Sequence, residues 1–568
     1  MKRVPISMNM VDKVVSYFSP MDGLKRVQGR MAFTSLEDSG YVTPKSSRKS
    51  MRGANVRAQS PNQDTTPKIA DSRALSRDLY MNTPIMAGLM RRMNTNVIGA
   101  GLLPQPQPDA HFLGLSTSDA SDWVRTTQRK FNLWASSKQA SWTANHTFWD
   151  MQSLAFLSAM MNGDCFFATP WKASNDPYRT YELRVRLIEG DLIRNPVNIA
   201  VDLGVVQPGQ PDILGGVEYR NGELFGYWMG DNYPSEYRVA DFTFIPTYDA
   251  NGRPQIFQIA APERIGQRRG MPFMASVLEA MKQLSRLSEA ELMSALVSSF
   301  FTVFIKDQSG MGGLMQEGYI PGDTAGGGGG EGPDAEQLPK QFNAAFDLEM
   351  GYGNINYLDD DKEIQLADPK KTDDGFSNFF DALVTQIAAA GEMSKSQLML
   401  QFSASYSASR GEIMETWKAF RTKRAWFARQ FNQPIYEAFL EESVIKGYII
   451  APGFLSDPEK RAAWSLCQWV GPGMGHLDPL KEANAAVVKI KNNLSTYEDE
   501  FSADSGGSWS AAMERRAREK EQLSVLGLPD PGLYPPPGIT SPLMMTGLDT
   551  GAGLIDTGDS RDTGDTGA

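Results

Sequence analysis

The chain has 568 residues, of which 41% are hydrophobic and 22% are charged, and its formal net charge is −11. This length exceeds what one hydrophobic core usually organises, so we expect several domains or an elongated subunit. The acidic balance argues against a protein that grips nucleic acid over its whole surface, because phosphate affinity requires clustered Lys and Arg. It does not exclude a protein through which DNA passes.

The cysteine content and the hydropathy pattern exclude two further classes. Two cysteines, Cys165 and Cys467, are too few for a disulfide framework and are predicted to pack as small buried hydrophobes. No run of about 18 uncharged apolar residues and no signal-peptide pattern occurs, so we expect a soluble protein that is not exported and has no membrane partner.

Three stretches have the composition of flexible segments. Residues 1–70 carry 12 basic and 5 acidic residues, which predicts a flexible basic arm. Plain disorder and a contact with nucleic acid or a neighbouring subunit both remain open for this arm. The stretch 310–334 contains five consecutive glycines and predicts a mobile loop, and the Pro-, Gly-, Thr- and Asp-rich residues 529–568 predict a disordered acidic tail.

The remaining sequence predicts blocks of helices and a block of strands. Apolar periodicity predicts helices over 70–94, 118–134, 151–161, 273–303, 376–390, 410–447, 481–493 and 509–526, with Pro434 bending the longest. Runs of β-branched and aromatic residues predict strands over 164–170, 181–187, 216–219 and 224–229, and Arg220-Asn221-Gly222 predicts a hairpin turn. The aromatic residues Trp123, Phe131 and Trp134 are predicted to lie in the core.

No catalytic apparatus is evident in the sequence. The glycine run at 326–330 continues with Glu331 and Gly332, so it lacks the lysine of a phosphate-binding loop. The histidines His111, His146 and His476 are far apart and have no partner at metal-ligand spacing. The Asp-Thr-Gly repeats of the tail lack the enclosed β-rich core that an aspartic protease requires. We therefore predict no catalytic residue, no metal and no cofactor.

One segment carries a recognisable resemblance, supported by three others in the expected order. Residues 261–272 read Ala-Pro-Glu-Arg-Ile-Gly-Gln-Arg-Arg-Gly-Met-Pro and precede the predicted helix at 273–303. The supporting segments are Leu187–Asp191 with Asn195-Pro196 and Gly216–Tyr219, then Tyr406–Arg410, then Asp478–Ala483 with Leu494–Thr496 and Glu498–Glu500. Together they resemble the lambda-like bacteriophage portal protein family over roughly residues 75–528.

The resemblance implies a fold class and a domain order. The class is α+β: an elongated portal-type subunit with a β-rich wing, long stem helices, a small α/β clip and a helical C-terminal crown, assembling into a ring. After the arm at 1–70, the implied regions are the wing at 71–271, a stem helix at 272–298, the clip at 299–371, a second stem helix at 372–391, a tunnel loop at 392–409, a long wing helix at 410–450, the crown at 451–528 and the tail.

The resemblance also implies a mechanical function. A ring, commonly of twelve copies, would occupy a unique capsid vertex of the virion after assembly in the host cytoplasm. It would be the channel for packaging and ejecting double-stranded DNA, bound without sequence preference. The implied partners are the terminase large subunit, the major capsid or scaffold protein, and neck or adaptor proteins.

Three groups of candidate residues follow from the resemblance. The residues implied to face DNA in the tunnel loop are Ser394, Lys395, Ser396 and Gln397, with Lys395 as the phosphate contact. The junction between wing and stem comprises Glu263, Arg264, Gln267, Arg269 and Gly270, whose arginines we expect to be structural or intersubunit contacts. The start of the long wing helix is marked by Tyr406 and Arg410.

Two other function classes remain open at this point. A DNA-processing enzyme would need clustered carboxylates or a nucleotide-binding loop. A minor capsid or scaffold protein would share the acidic, helical character but would not form a ring with a central bore. The basic cluster at Lys418, Arg421, Lys423, Arg424 and Arg429 is interpreted as a solvated or intersubunit face, with direct DNA contact as the alternative.

Overall fold

The structure is a computed structural model that describes position 17 and residues 58–173, 179–196, 212–236, 239–299, 303–307, 362–366, 373–402, 405–475, 478–505, 507 and 509–528. The chain divides into one unit of Met1–Asp64 and another of Thr65–Ala568, and the second contains nearly all the described elements. Most of the predicted arm, the Gly-rich stretch at 310–334 and the tail at 529–568 lie outside the described residues. Within them, no helix has the length and apolarity needed to span a membrane.

The described residues form a mixed helix and sheet fold. The helices are α1 Pro61–Thr65, α2 Ile69–Asn82, α3 Pro84–Val97, α4 Ala110–Leu113, α5 Thr117–Ser136, α6 Phe148–Asn162, α7 Leu278–Ser299, α8 Asp373–Ala390, α9 Lys395–Met399, α10 Tyr406–Phe427, α11 Gln433–Ile445, α12 Pro458–Ser465, α13 Pro479–Lys491, α14 Tyr497–Ser505 and α15 Trp509–Val525. Short 3-10 turns lie at Thr66–Lys68, Lys138–Ala140 and Ala275–Val277.

The strands pair in antiparallel sheets. They are β1 Leu103–Pro106, β2 Asp164–Ala168, β3 Arg186–Glu189, β4 Asp212–Leu214, β5 Val217–Arg220, β6 Glu223–Gly230, β7 Phe242–Pro246, β8 Ile256–Ala260, β9 Val303–Asp307, β10 Lys362–Leu366 and β11 Cys467–Val470. The sheet orders are β3-β2-β8, β4-β5-β6-β7, β9-β10 and β1-β11. In the hairpin between β5 and β6, Asn221 and Gly222 have φ of 53° and 86°, as the predicted turn requires.

Proline explains where the first helical prediction is wrong. The single helix predicted over 70–94 is two helices, because Pro84 has no backbone N–H and disfavours a helical conformation at the residue before it. Thr83 accordingly has φ −116° and ψ 114°, an extended conformation, and α3 starts at Pro84.

Three other boundaries also differ from the predictions. Pro61–Thr65 are helical, and Thr66 and Ile69 are buried, so residues 61–70 are wrongly included in the predicted arm. Regular pairing of the strand predicted from Tyr181 starts only at Arg186. The segment between the helices predicted over 481–493 and 509–526 contains a further helix, α14.

The longest helical segment contains a π-helical turn where a bend was predicted. Helices α10 and α11 are joined by π-helix at Ala428–Asn432, two residues before Pro434. Because proline cannot donate the usual i to i−4 hydrogen bond, the turn preceding it rearranges rather than continuing as regular α-helix. Phe427 and Phe431, on either side of the start of this turn, are fully buried.

Aromatic side chains hold the large core together. Phe131 of α5 is fully buried, and its ring centroid lies 5.1–6.4 Å from those of neighbouring aromatic residues. These neighbours are Trp134, Phe148, Trp149, Tyr436, Phe439 and Trp469. The aromatic core predicted for α5 is therefore confirmed, and it joins α5 and α6 to α11 and β11. A smaller core that includes Phe166 and Tyr227 joins the three-stranded and four-stranded sheets.

A buried ionic network centres on Asp164, the first residue of β2. Its carboxylate is inaccessible to water and forms ion pairs of 2.6 Å with Arg73 of α2 and with Arg269. Arg73 also pairs with Asp191 at 3.0 Å, and Arg77 binds the other oxygen of Asp191. Burial alone would raise the pKa of Asp164, but the guanidinium groups of Arg269 and Arg73 hold it below its ordinary value.

We predict that Asp164→Asn destabilises the fold by about 3–5 kcal/mol, because it removes the buried carboxylate that pairs with both Arg73 and Arg269. The measurement is the urea midpoint followed by tryptophan fluorescence. Asp122→Asn is the matched control, since the Asp122 side chain is 75% exposed, and it should change stability by less than about 0.5 kcal/mol. Equal effects of the two substitutions would contradict the assignment.

The depressed pKa of Asp164 also predicts how this difference depends on pH. The folded carboxyl titrates below the unfolded value of about 3.9, so its stabilisation is complete above that value and is lost as the pH falls through the folded pKa. The stability gap between wild type and Asp164→Asn should therefore be constant above about pH 5 and shrink below about pH 4. If the stability difference between the two proteins widened as the pH fell, the pKa of Asp164 would not be depressed in the folded state.

Candidate functional site

The junction between β8 and α7 contains five of the candidate residues, and the structure divides them into two groups. Glu263 and Arg264 lie in an exposed turn, where both backbone N–H groups donate to Gln267 Oε1 at 3.2 and 3.3 Å. Gln267 Nε2 in turn donates to the Arg269 carbonyl at 2.8 Å. Gln267 therefore shapes the turn, and Arg269 and Gly270 are directed into the fold.

Arg269 is only 3% exposed and joins several loops. Besides Asp164, its guanidinium donates to the carbonyl oxygens of Gly190 and Ile193, each at 2.6 Å, and to that of Gly215. These contacts join the three-stranded sheet to the loops beside the four-stranded sheet. Such a cation is fully occupied inside its own chain, which agrees with the structural role expected for it and not with an intersubunit one.

Gly270 is required by a close approach of two backbone segments. A Cβ atom at this position would lie 1.9 Å from the carbonyl oxygen of Gly163. The Gly270 N–H donates to Asp164 Oδ2 at 3.2 Å, which connects the backbone of the junction to the ionic network. Any side chain here would separate α6 from the segment that leads into α7.

The four candidate residues at 394–397 lie at a one-turn helix rather than in an irregular loop. The Ser394 side chain accepts a hydrogen bond from the Gln397 N–H at 3.2 Å and caps α9, which begins at Lys395. Leu398 is buried, and its carbonyl accepts a hydrogen bond from Arg92 of α3. The C-terminal end of this short helix is therefore held against α3.

Lys395 does not present a free ammonium group. Its Nζ lies 2.7 Å from Asp381 Oδ2 on α8, and the lysine side chain is 36% exposed. The neighbouring Glu392 pairs in the same way with Lys423 of α10. The structure therefore brings Lys395 to a partly exposed position but places a carboxylate beside it, which the sequence analysis missed.

The exposed tip of this segment is apolar. After α9, Leu400 is 62% exposed and Phe402 is 56% exposed. The residues predicted to face DNA are the polar ones at 394–397 and include neither of these two. The signal that was available is the pair of large apolar residues flanking Gln401, in a stretch otherwise rich in Ser and Gln.

The long helix begins at Tyr406, four residues before the start predicted from periodicity, and Arg410 connects it to the C-terminal region. Arg410 Nη1 donates to Glu482 Oε1 of α13 at 2.7 Å, and Glu482 is only 13% exposed. Because residues 410 and 482 belong to two of the four segments that carried the resemblance, this contact joins them in space.

The basic cluster of α10 is less exposed than predicted. The Arg424 guanidinium donates to the carbonyls of Val97, Asn96 and Pro472 at 2.8–3.0 Å, and burial lowers its pKa to about 10. Lys418 pairs with Glu415 at 2.6 Å. Lys418, Arg421 and Arg429 are exposed, and Arg421, Arg424 and Arg429 line a cleft of about 980 Å³ beside β11.

The candidate metal ligands and nucleophiles remain dispersed. His111 and His146 are exposed, Cys165 is buried, and burial raises the pKa of the Cys165 thiol to about 12. In the ranges that the structure describes, no group of three His, Cys, Asp or Glu side chains is placed to hold a metal ion.

The sequence of the chain matches a known protein family. Residues 47–424 match the family described as phage portal protein, lambda family. The portal protein of Escherichia phage N15 is 25% identical over 496 residues, covering 85% of this chain and 89% of that protein. Portal protein B of Escherichia phage lambda is 25% identical over 497 residues with the same coverage.

Two solved structures show weaker likenesses. The virion of a native gene transfer agent particle contains a chain with 13% identity and a TM-score of 0.37, covering 70% of this chain and 93% of that chain. The neck of an empty gene transfer agent particle, computed with C6 symmetry, contains one with 12% identity and a TM-score of 0.39, covering 81% and 94%. The family match includes the junction, α7, α8 and nearly all of α10, and on this ground the chain belongs to the lambda family of phage portal proteins.

Proposed function

We propose that this chain forms a ring, commonly of twelve copies, at a unique vertex of the capsid and serves as the channel through which double-stranded DNA is packaged and ejected. The observation that carries the proposal is the family match over residues 47–424. In this role the protein is a conduit and a platform and performs no bond chemistry. Its site of action is the virion, after assembly in the host cytoplasm.

Exposed apolar surface on the long helices supports assembly from several copies. Leu278, Met281 and Leu284 of α7 are buried within the chain, whereas Leu292 and Met293 further along the same helix are 61% and 58% exposed. α8 repeats the pattern, since Val384 and Ile387 are buried and Phe379 is 55% exposed. Neighbouring copies would bury these exposed apolar side chains, and a head-to-tail interface whose rotation closes produces a ring.

We propose the following regions for the described elements. α7 and α8 are the two stem helices, and the β9-β10 pair belongs to the clip, which would dock the terminase large subunit and later the neck or adaptor proteins. The sheets before α7 and the long helix from α10 onward form the wing, which would face the capsid or scaffold protein. α12, β11, α13, α14 and α15 form the crown.

We expect negative-stain images of the purified full-length chain to show rings with a central hole. The physical reason is the exposed apolar surface of α7 and α8, which a monomer would leave in water. A protein that remained monomeric or formed filaments under all conditions would contradict the proposed ring.

We also propose that residues 394–397 face the DNA, with Lys395 as the phosphate contact. We expect Lys395→Glu to impair DNA packaging or retention without preventing ring assembly, because it replaces a cation by an anion in the bore. Phage yield and DNA per particle are the measurements. A normal yield would remove Lys395 from the site.

The ion pair with Asp381 supplies a second, opposing test. Asp381→Asn frees the Lys395 ammonium, so DNA retention should be maintained or should increase if Lys395 acts on phosphate. If Lys395 acts only by holding α9 against α8, Asp381→Asn should impair retention as Lys395→Glu does. Ring formation, checked by microscopy, is the control for both variants.

A further inference from the structure

A groove lined by arginines lies between α5 and α15, at the end of β1. Its volume is about 590 Å³, and its lining includes Arg125 and Arg129 of α5 and Arg515 and Arg518 of α15. Residues three or four positions apart lie on the same face of a helix, so each helix directs two guanidinium groups toward this groove. The four arginines therefore form two facing rows.

The charge in this groove is not balanced within the described part of the chain. The one acidic residue among the lining residues that the structure describes is Glu514, which pairs with Arg125 at 3.1 Å. Arg129, Arg515 and Arg518 are exposed and form no ion pair or hydrogen bond with any described residue. Like charges held on facing helices repel each other, so an anion between them would stabilise the arrangement.

The chemistry of the lining selects the kind of anion. Arginine binds phosphate and carboxylate oxygens through two parallel N–H groups, and all four cations of the groove are arginines. No aromatic side chain is among the described lining residues, so the groove offers no surface on which unpaired bases could stack. Its large apolar side chains are Leu103 and Leu133, and Leu133 is 70% exposed, which gives an acidic peptide no enclosed apolar pocket.

We propose that this arginine groove, defined by Arg125, Arg129, Arg515 and Arg518, binds the phosphate backbone of double-stranded DNA without reading its sequence. The inference rests on the proposed function only in that DNA must reach the particle. The groove is a separate site from residues 394–397, because it is built by α5 and α15 and by none of α8, α9 and α10. It would hold DNA between α5 and α15.

The test measures binding of a short fluorescently labelled duplex of mixed sequence to the full-length protein at several salt concentrations. Each phosphate contact contributes about 0.9 to the slope of log K against log salt. The triple variant Arg129→Gln/Arg515→Gln/Arg518→Gln should therefore make this slope shallower by about 2 to 3. Arg516→Gln, on the same helix but outside the lining, is the matched control and should leave the slope nearly unchanged.

The outcomes separate this inference from the proposed function. Circular dichroism shows whether the triple variant is folded. An unchanged slope in a folded triple variant would overturn the proposal that the groove binds DNA. If the triple variant does not fold, Arg515→Gln and Arg518→Gln are measured singly, and each should reduce the slope by about 1 while Arg516→Gln does not. Displacement of the duplex by polyglutamate at equal charge concentration would assign the groove to an acidic polypeptide instead. If the protein forms no rings but the triple variant has a shallower slope, the proposed ring is wrong and the groove stands. If rings form but the slope of the triple variant is unchanged, the groove is wrong and the proposed ring stands.

Discussion

Asp164 is a carboxylate without access to water, and the folding of several distant segments depends on balancing its charge. Arg73 reaches it from α2, Arg269 from the junction, and the Gly270 N–H from the backbone beside it. A Cβ atom on Gly190 would lie 2.3 Å from its Oδ1. An ion pair of this kind gains little over an apolar contact, but its geometry admits few alternatives. The network around Asp164 therefore determines how these segments pack together more than it adds to the free energy of folding.

The same use of charge recurs in the rest of the chain. Lys395, Lys423 and Arg424 all bind groups of the chain itself: Asp381, Glu392 and three backbone carbonyls. These three cations are therefore less available to a phosphate backbone than the arginines of the groove between α5 and α15. If DNA moves past residues 394–397 as proposed, cations that are already paired there would oppose that movement little.

The sequence predicted the elements better than their partners. The periodic runs that became α5, α6 and α7, and the turn at Asn221-Gly222, depend on neighbouring residues and could be recognised locally. The break at Thr83 was also local, and it was missed because the apolar pattern continues across Pro84. The resemblance identified the junction at Glu263–Gly270, and the family match confirms the family on which that identification depended.

The contacts of the candidate sites could not be predicted in this way. Arg269 forms an ion pair with Asp164, more than a hundred residues earlier in the chain, and Lys395 forms one with Asp381 of α8. Neither pairing leaves a periodic signal. One signal was available for Asp164, a charged residue that opens an otherwise apolar strand of Cys, Phe and Ala. Burying such a residue requires a cation, but the sequence does not say which.

The β1-β11 ribbon has a consequence for how the protein is made. Leu103 pairs with Val470, about 370 residues later, so β1 is synthesised long before its only described neighbouring strand exists. At a synthesis rate of about 5–20 residues per second, this strand waits roughly 20–70 s with its hydrogen-bonding edge open. An unpaired edge can add to another chain. Premature termination before β11 would leave that edge permanently available, and shortened chains of this protein would be prone to aggregate rather than to join an assembly.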